Sequence, residues 1–240
     1  AEAVVREGAQ WGENDIADFG ARIGAAEYLD LGVQANRHLP EFDTHDRYGR
    51  RADLVRFHPS YHQLMKTAIE EGLHSSPWTD PRKGAHVARA ARFYMHSQVE
   101  PGHGCPISMT FACAPALAQQ PDLAKEWLPK IFARDYDPRN VPADEKDGVT
   151  IGMAMTEKQG GSDVRANTTR AIPIGPGGPG GEYELVGHKY FVSAPMCDAF
   201  LVLAQAPGGL SCFLVPRWKT DGTKNPLQVL RLKKKMGNAS

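Results

Sequence analysis

Met153-Ala154-Met155-Thr156-Glu157-Lys158-Gln159-Gly160-Gly161-Ser162-Asp163 is the stretch on which the reading of this 240-residue chain turns. It begins as a strand, ends that strand on a hydroxyl, turns through paired glycines and closes on Ser-Asp. Paired glycines let a backbone approach a planar or phosphorylated ligand closely. The flanking hydroxyls and N–H groups are donors suited to carbonyls or phosphates. On spacing alone, the plainer reading is preferred: a tight turn whose Thr and Ser satisfy local backbone groups.

The period of the chain changes just before this stretch, near residue 148. Beyond it the pattern alternates: 149–155, 167–174, 182–187, 189–193, 200–206, 210–215 and 227–232 read as strands separated by Gly, Pro and Asp turns. Ala206-Pro207-Gly208-Gly209 between two apolar runs is a hairpin signal. Successive strands without intervening helices predict antiparallel pairing. Before the change, the period is helical. Asp15 or Asn14 can cap a helix on which Ile16, Phe19, Ile23, Ala26, Leu29 and Val33 recur, ended by Pro40. Further helices are predicted from Pro59-Ser60 to a stop at Gly72, over 85–99, over 105–117, and from Pro121-Asp122. A polar loop, 135–148, follows. The predicted fold is therefore α+β: an N-terminal all-α domain over 1–147, then an antiparallel β-barrel or sandwich domain over 148–240.

Composition narrows the function classes. Lys and Arg (28) balance Asp and Glu (28), which argues against a chain-wide nucleic-acid footprint. An apolar share of 41% suffices for a core and argues against disorder throughout. No run approaches the ~20 apolar residues of a membrane helix. The four cysteines lack the CxxC spacing of a zinc site or disulfide framework. Cys105 and Cys113 read as small buried apolar groups. His58 and His62 are four apart, but Pro59 follows the first and no Glu accompanies them, so no metal site is assigned. Gly175-Pro176-Gly177-Gly178-Pro179-Gly180 spells GxGxxG, yet carries two prolines and precedes a strand; it reads as a hairpin loop. Lys233-Lys234-Lys235 has two readings, a contact with phosphates and a solvated strand end, of which the second is preferred. The expected compartment is reducing and cytoplasmic by default, with a mitochondrial location after removal of a targeting peptide left open.

A second stretch, Gly187-His188-Lys189-Tyr190-Phe191-Val192-Ser193, is by itself an ordinary strand. In this order, after a helical domain, the two stretches resemble the acyl-CoA dehydrogenase superfamily, and in particular its AidB-like branch of adaptive-response flavoproteins. The run 155–164, then Asn167-Thr168-Thr169-Arg170-Ala171, Leu185-Val186-Gly187-His188-Lys189, Leu201-Val202-Leu203-Ala204-Gln205 and Gly208-Gly209-Leu210-Ser211-Cys212-Phe213 carry the resemblance. It implies bound FAD. By resemblance Met153, Met155, Thr156, Gly161, Ser162, Phe191, Val192 and Ser193 are cofactor-binding, with Thr156 at the pyrimidine side of the flavin and Ser193 near N5. Ser162 is also placed against substrate. Donors aimed at the ring would stabilise the charge that a hydride brings to it. Two departures from the common dehydrogenase pattern, Lys158-Gln159-Gly160-Gly161 for Pro-Gly-Ala-Gly and Phe191 for tryptophan, agree with the AidB-like branch.

The resemblance also implies a C-terminal helical bundle that supplies the catalytic base, and in this branch a further domain associated with DNA. Neither is found in these 240 residues, so no catalytic residue is assigned and Glu157 is read as structural. The chain is expected to be the N-terminal part of a longer protein and to bind FAD poorly alone. Three functions follow as expectations. The first is α,β-dehydrogenation of an acyl-CoA by hydride transfer to FAD. The second is a flavoprotein that protects DNA in an alkylation response. The third is a non-catalytic acyl-group binder. A homo-oligomer, dimer or tetramer, is implied by resemblance.

Overall fold

The computed structural model describes residues 2–237. Nine helices come in chain order among them: α1 (Glu2–Arg6), α2 (Glu13–Ile23), α3 (Ala26–Arg37), α4 (Pro59–Glu70), α5 (Ser76–Thr79), α6 (Ala85–Val99), α7 (Gly104–Ala112), α8 (Ala114–Leu117) and α9 (Pro121–Phe132). A hairpin of β1 (Glu41–His45) and β2 (Arg51–Arg56) interrupts them, and β3 (Ile151–Ala154), β4 (Arg170–Ile174), β5 (Glu182–Val186), β6 (Ala199–Ala206) and β7 (Gly209–Pro216) follow. The α+β class holds.

The helix starts at Pro59 and Pro121 use proline where its missing N–H costs nothing. His58 caps α4 through Nδ1, which accepts from the Ser60 N–H. The single helix expected from residue 14 or 15 up to Pro40 is two. Gly24 closes α2, its N–H donating to the Gly20 carbonyl, and Ala25 is extended before α3 starts. The apolar period runs through the break because the core of the helical half touches both sides of it. Phe19 and Ile23 of α2 join Ala35 of α3, Leu64 and Met65 of α4 and Ile107 of α7 in one cluster. Each large side chain so buried is worth about 1.5–3 kcal/mol.

The sheet corrects the expectation of purely antiparallel pairing: it is mixed. β6 pairs antiparallel with β7 along its whole length. On its other edge, 199–202 run parallel to β3, and Gln205 meets Arg170 of β4 in a parallel bridge. β4 and β5 form an antiparallel hairpin around the glycine loop. A parallel pair needs a long crossover, and the hairpin with its flanking loops supplies it between β3 and β6. Residues 189–193 and 227–232, expected as strands, are not strands: both lie outside every ladder. Gly152 permits a close contact in the sheet; a Cβ there would stand 2.5 Å from the ring of Phe200, which is fully buried.

Helices and sheet share a core. Cys113, Leu117, Trp127 and Ile131 pack against Val149, Ile151, Ala199 and Leu201. The Thr110 hydroxyl accepts from the Ile151 N–H at 3.0 Å, fixing α7 to the start of β3. The buried Lys146–Asp198 pair, 2.7 Å apart, ties the 135–148 loop to the residue before β6. Cys113 is buried as expected; Cys105 is exposed, which corrects the expectation for it.

Candidate functional site

The quoted stretch leaves β3 and reverses through Gly160, whose φ of +117° suits glycine and whose N–H donates to the Glu157 carbonyl. Glu157 is the anchor of the region. Its Oε2 accepts from the Thr168 N–H (2.7 Å) and hydroxyl (2.9 Å). Its Oε1 accepts from the Thr169 N–H (3.0 Å), the Thr169 hydroxyl (2.5 Å) and Lys189 Nζ (2.9 Å). Glu157 and Lys189 are both nearly inaccessible. Burial alone would raise the Glu157 carboxyl, but the bonds from Thr168, Thr169 and Lys189 outweigh it and hold the group far below the usual carboxylate range. A carboxylate so committed cannot take a proton from a substrate, in keeping with its structural reading.

This anchor brings the two stretches together. The Tyr190 N–H donates to the Thr156 carbonyl at 2.9 Å, alongside the Lys189–Glu157 pair. Asn167 Nδ2 donates to the Met155 carbonyl at 2.8 Å, and the Asn167 side-chain oxygen accepts from Gln159 Nε2 at 3.1 Å. Phe191 then sits at φ +65° and Ala194 at +51°, left-handed conformations that are uncommon for non-glycine residues. The pull of Tyr190 toward Thr156 and these two turns explain why 189–193 is no strand despite its aromatic, β-branched composition.

The expected site residues fall into two groups. Phe191, Val192 and Ser193 line a broad open groove of about 2790 Å³ between the helical half and the sheet. Phe191 is 55% exposed, with Lys233 Nζ 3.6 Å from its ring centroid. Met153, Met155, Thr156, Gly161 and Ser162 do not line the groove; Lys158 does. Met153 and Met155 pack on the shared core. The hydroxyls of Thr156, Ser162 and Ser193 make no hydrogen bond among the described residues, whereas those of Thr168 and Thr169 are bound to Glu157. Gly161 keeps the Thr156 hydroxyl open: a Cβ at 161 would lie 2.9 Å from Thr156 Oγ1. These uncommitted donors on a glycine turn fit the polar edge and phosphates of a flavin nucleotide.

Sequence reasoning missed the partners. Lys189 lay in the quoted second stretch, but its pairing with Glu157 has no local signature. The opposite side of the groove includes Val55, Phe57, Tyr61, Cys105 and Pro106; Val55 was missed with β2, while the other four give no local sign of facing a groove. A buried chain of hydrogen bonds in the helical half was also unseen: Tyr28 to His96 Nε2 (2.7 Å), His96 Nδ1 to His103 Nε2 (2.8 Å), and His103 Nδ1 to Glu100 (3.2 Å). His58 and His62 are engaged separately, His62 with the Tyr136 hydroxyl at 2.8 Å.

Residues 1–138 match the family profile described as the adaptive response protein AidB N-terminal domain, and 152–240 match the acyl-CoA dehydrogenase middle domain. The chain is 51% identical over its whole length to AidB of Escherichia coli K12, spanning 44% of that protein. Among solved structures, the apo form of Bd2924 superposes with a TM-score of 0.82 at 29% identity, over 96% of this chain and 46% of that one. Caenorhabditis elegans ACDH-11, solved in complex with C11-CoA, gives 0.76 at 29% identity, over 91% of this chain and 37% of that one. The chain thus spans less than half the length of these relatives.

Proposed function

The chain belongs to the acyl-CoA dehydrogenase family, in its AidB-like branch, and from that premise we propose that it forms the flavin-contacting half of an FAD-dependent protein acting on acyl-CoA. The observation that carries this reading is the set of free hydroxyls, Thr156, Ser162 and Ser193, on two stretches joined by Glu157 and Lys189. Thr156 and Ser193 would donate to the ring edge, and the Gly160-Gly161 turn with Ser162 would meet the phosphates. FAD, when bound, supplies a hydride acceptor for α,β-dehydrogenation of an acyl thioester. The chain's own part is to bind, to orient and to shield. Glu157 holds the two stretches in register and donates no proton. Phe191 and Val192 form an apolar surface along the groove, excluding water beside the polar edge. The base that takes the α-proton is assigned to no residue of 1–240. The C11-CoA complex of ACDH-11 supports an acyl-CoA ligand. A homo-oligomer completing the site is part of the same proposal.

The test is a visible spectrum of the longest natural form, before and after anaerobic acyl-CoA, beside a Gly161→Ala variant. A flavin band that bleaches with acyl-CoA supports the dehydrogenase. A band that persists shifts the weight to acyl binding without turnover, and no band even after added FAD overturns the cofactor. Gly161→Ala, which crowds the Thr156 hydroxyl, should lose flavin while keeping the wild-type circular dichroism. Unchanged flavin retention would remove Thr156 from the site.

A further inference from the structure

Three tyrosines of the helical half are withdrawn from solvent or nearly so, and two have committed hydroxyls: Tyr28 to His96 and Tyr136 to His62. Tyr61 differs. It is only 6% exposed, yet its hydroxyl makes no hydrogen bond to any described residue. The ring is buried, but the hydroxyl is not among the sealed unpartnered atoms, so a ligand in the groove can reach it. Its ring is held by a stack on Phe57, centroids 4.1 Å apart and planes 15° from parallel. It lines the groove that Phe191 to Ser193 also line, next in the lining to Val55, Phe57, Cys105 and Pro106, none of which offers a strong donor; the donors Gln119, Gln120 and Trp127 belong to other helical stretches of the same lining. Burial, and then Tyr136, Cys197, Glu100 and Cys105, push the phenol well above its ordinary pKa. It therefore stays a neutral O–H donor across any working pH.

We propose that Tyr61 is a specificity-determining residue, whose hydroxyl donates to an oxygen carried on the acyl chain of the ligand, selecting oxygenated acyl chains over unsubstituted ones. The proposal rests on the acyl-CoA reading above. Apolar neighbours accept the methylenes of a chain, and a single fixed donor among them is satisfied only by an acceptor at one place along that chain. A plain chain seated there leaves the hydroxyl dry and unpaired, and sites built around a polar contact discriminate most strongly against the analogue lacking it.

The experiment is calorimetric titration of the longest natural form, loaded with FAD, with straight-chain acyl-CoA and with chain-hydroxylated acyl-CoA of equal length, the hydroxyl moved carbon by carbon. One hydroxyl position should bind about 10-fold tighter than the plain chain, the size of one neutral hydrogen bond that replaces an unpaired donor. In Tyr61→Phe, which keeps the ring stack, that preference should vanish while the plain chain binds within about 2-fold of wild type. Equal affinity for every chain in the wild type would overturn the proposal without needing the variant. Equal loss for all chains in Tyr61→Phe would assign the donor to the part common to them. A loss of FAD alone would assign it to the cofactor. Either result overturns the proposal. Absence of binding by any acyl-CoA would overturn the acyl-CoA reading itself, and this proposal with it.

Discussion

Replacing Glu157 by Gln is the sharpest probe of the anchor. The swap keeps volume and shape but removes one charge and turns one acceptor into a donor. In the wild type, Oε1 takes three donors and Oε2 takes two. The amide oxygen can replace Oε1, leaving the new NH2 facing the Thr168 N–H. A buried N–H left unsatisfied costs about 1–3 kcal/mol. Lys189 meanwhile keeps its charge, 9% exposed, with no carboxylate. Breaking a buried pair by removing one partner costs about 3–5 kcal/mol. The two effects share one lost charge and do not add, so about 3–5 kcal/mol is expected, a large part of a typical 5–15 kcal/mol stability. The pH profile carries the same information. A carboxyl held below its unfolded value near ~4.3 contributes stability that is complete above that value and is lost as pH falls toward the folded one. Urea unfolding of the longest natural form between pH 7 and 3 measures both, with Lys189→Met and the double variant closing a cycle. A Glu157→Gln variant within about 0.5 kcal/mol of wild type (the scatter of a neutral surface change), with an unaltered acid limb, would mean that Glu157 does not anchor the two stretches.

Two further outcomes follow from the packing. Gly152→Ala should destabilise by about 1–3 kcal/mol, because the new methyl meets the Phe200 ring inside a filled sheet face; urea midpoints check it, and a neutral result would mean that Phe200 has room to move. His96, lowered to about 3 by burial, then by His103 and Arg22, should stay uncharged down to acid. Its depressed value means stability complete above about pH 6.5 and lost as pH falls toward 3. Its ring resonances should not titrate between pH 7 and 5, and a midpoint near 6.5 would contradict the buried chain.

What the sequence made legible was what is local. Pro59 and Pro121 set helix starts through their own chemistry, and the helix over 85–99 was legible because its apolar period runs unbroken to Pro101-Gly102. The hairpin 41–56 was missed. Its Asp46–Gly49 turn was present as a signal, Asp46 Oδ1 taking the Tyr48 and Arg50 N–H groups. But its strands alternate charges rather than apolar residues and pair partly through Arg56 with Glu41 and Asp43. The strand propensity of 189–193 was real, yet propensity decides nothing where no ladder is offered. Parallel pairing was invisible because it rests on residues more than forty positions apart. The candidate site was legible as two motifs; the bond that joins them, Glu157 to Lys189, spans 32 positions and leaves no mark in either.

The parallel pairing of β3 with β6 has a consequence for birth on the ribosome. Residues 155–198 separate the two strands, so at about 5–20 residues per second β3 waits roughly 2–9 s for its partner. In that interval the apolar edge around Val149 and Ile151 has one cover already synthesised: Cys113, Leu117, Trp127 and Ile131 of the preceding helices. The helices that later share a core with the sheet thus act first as its chaperone in cis, shielding an unpaired strand until its neighbour emerges.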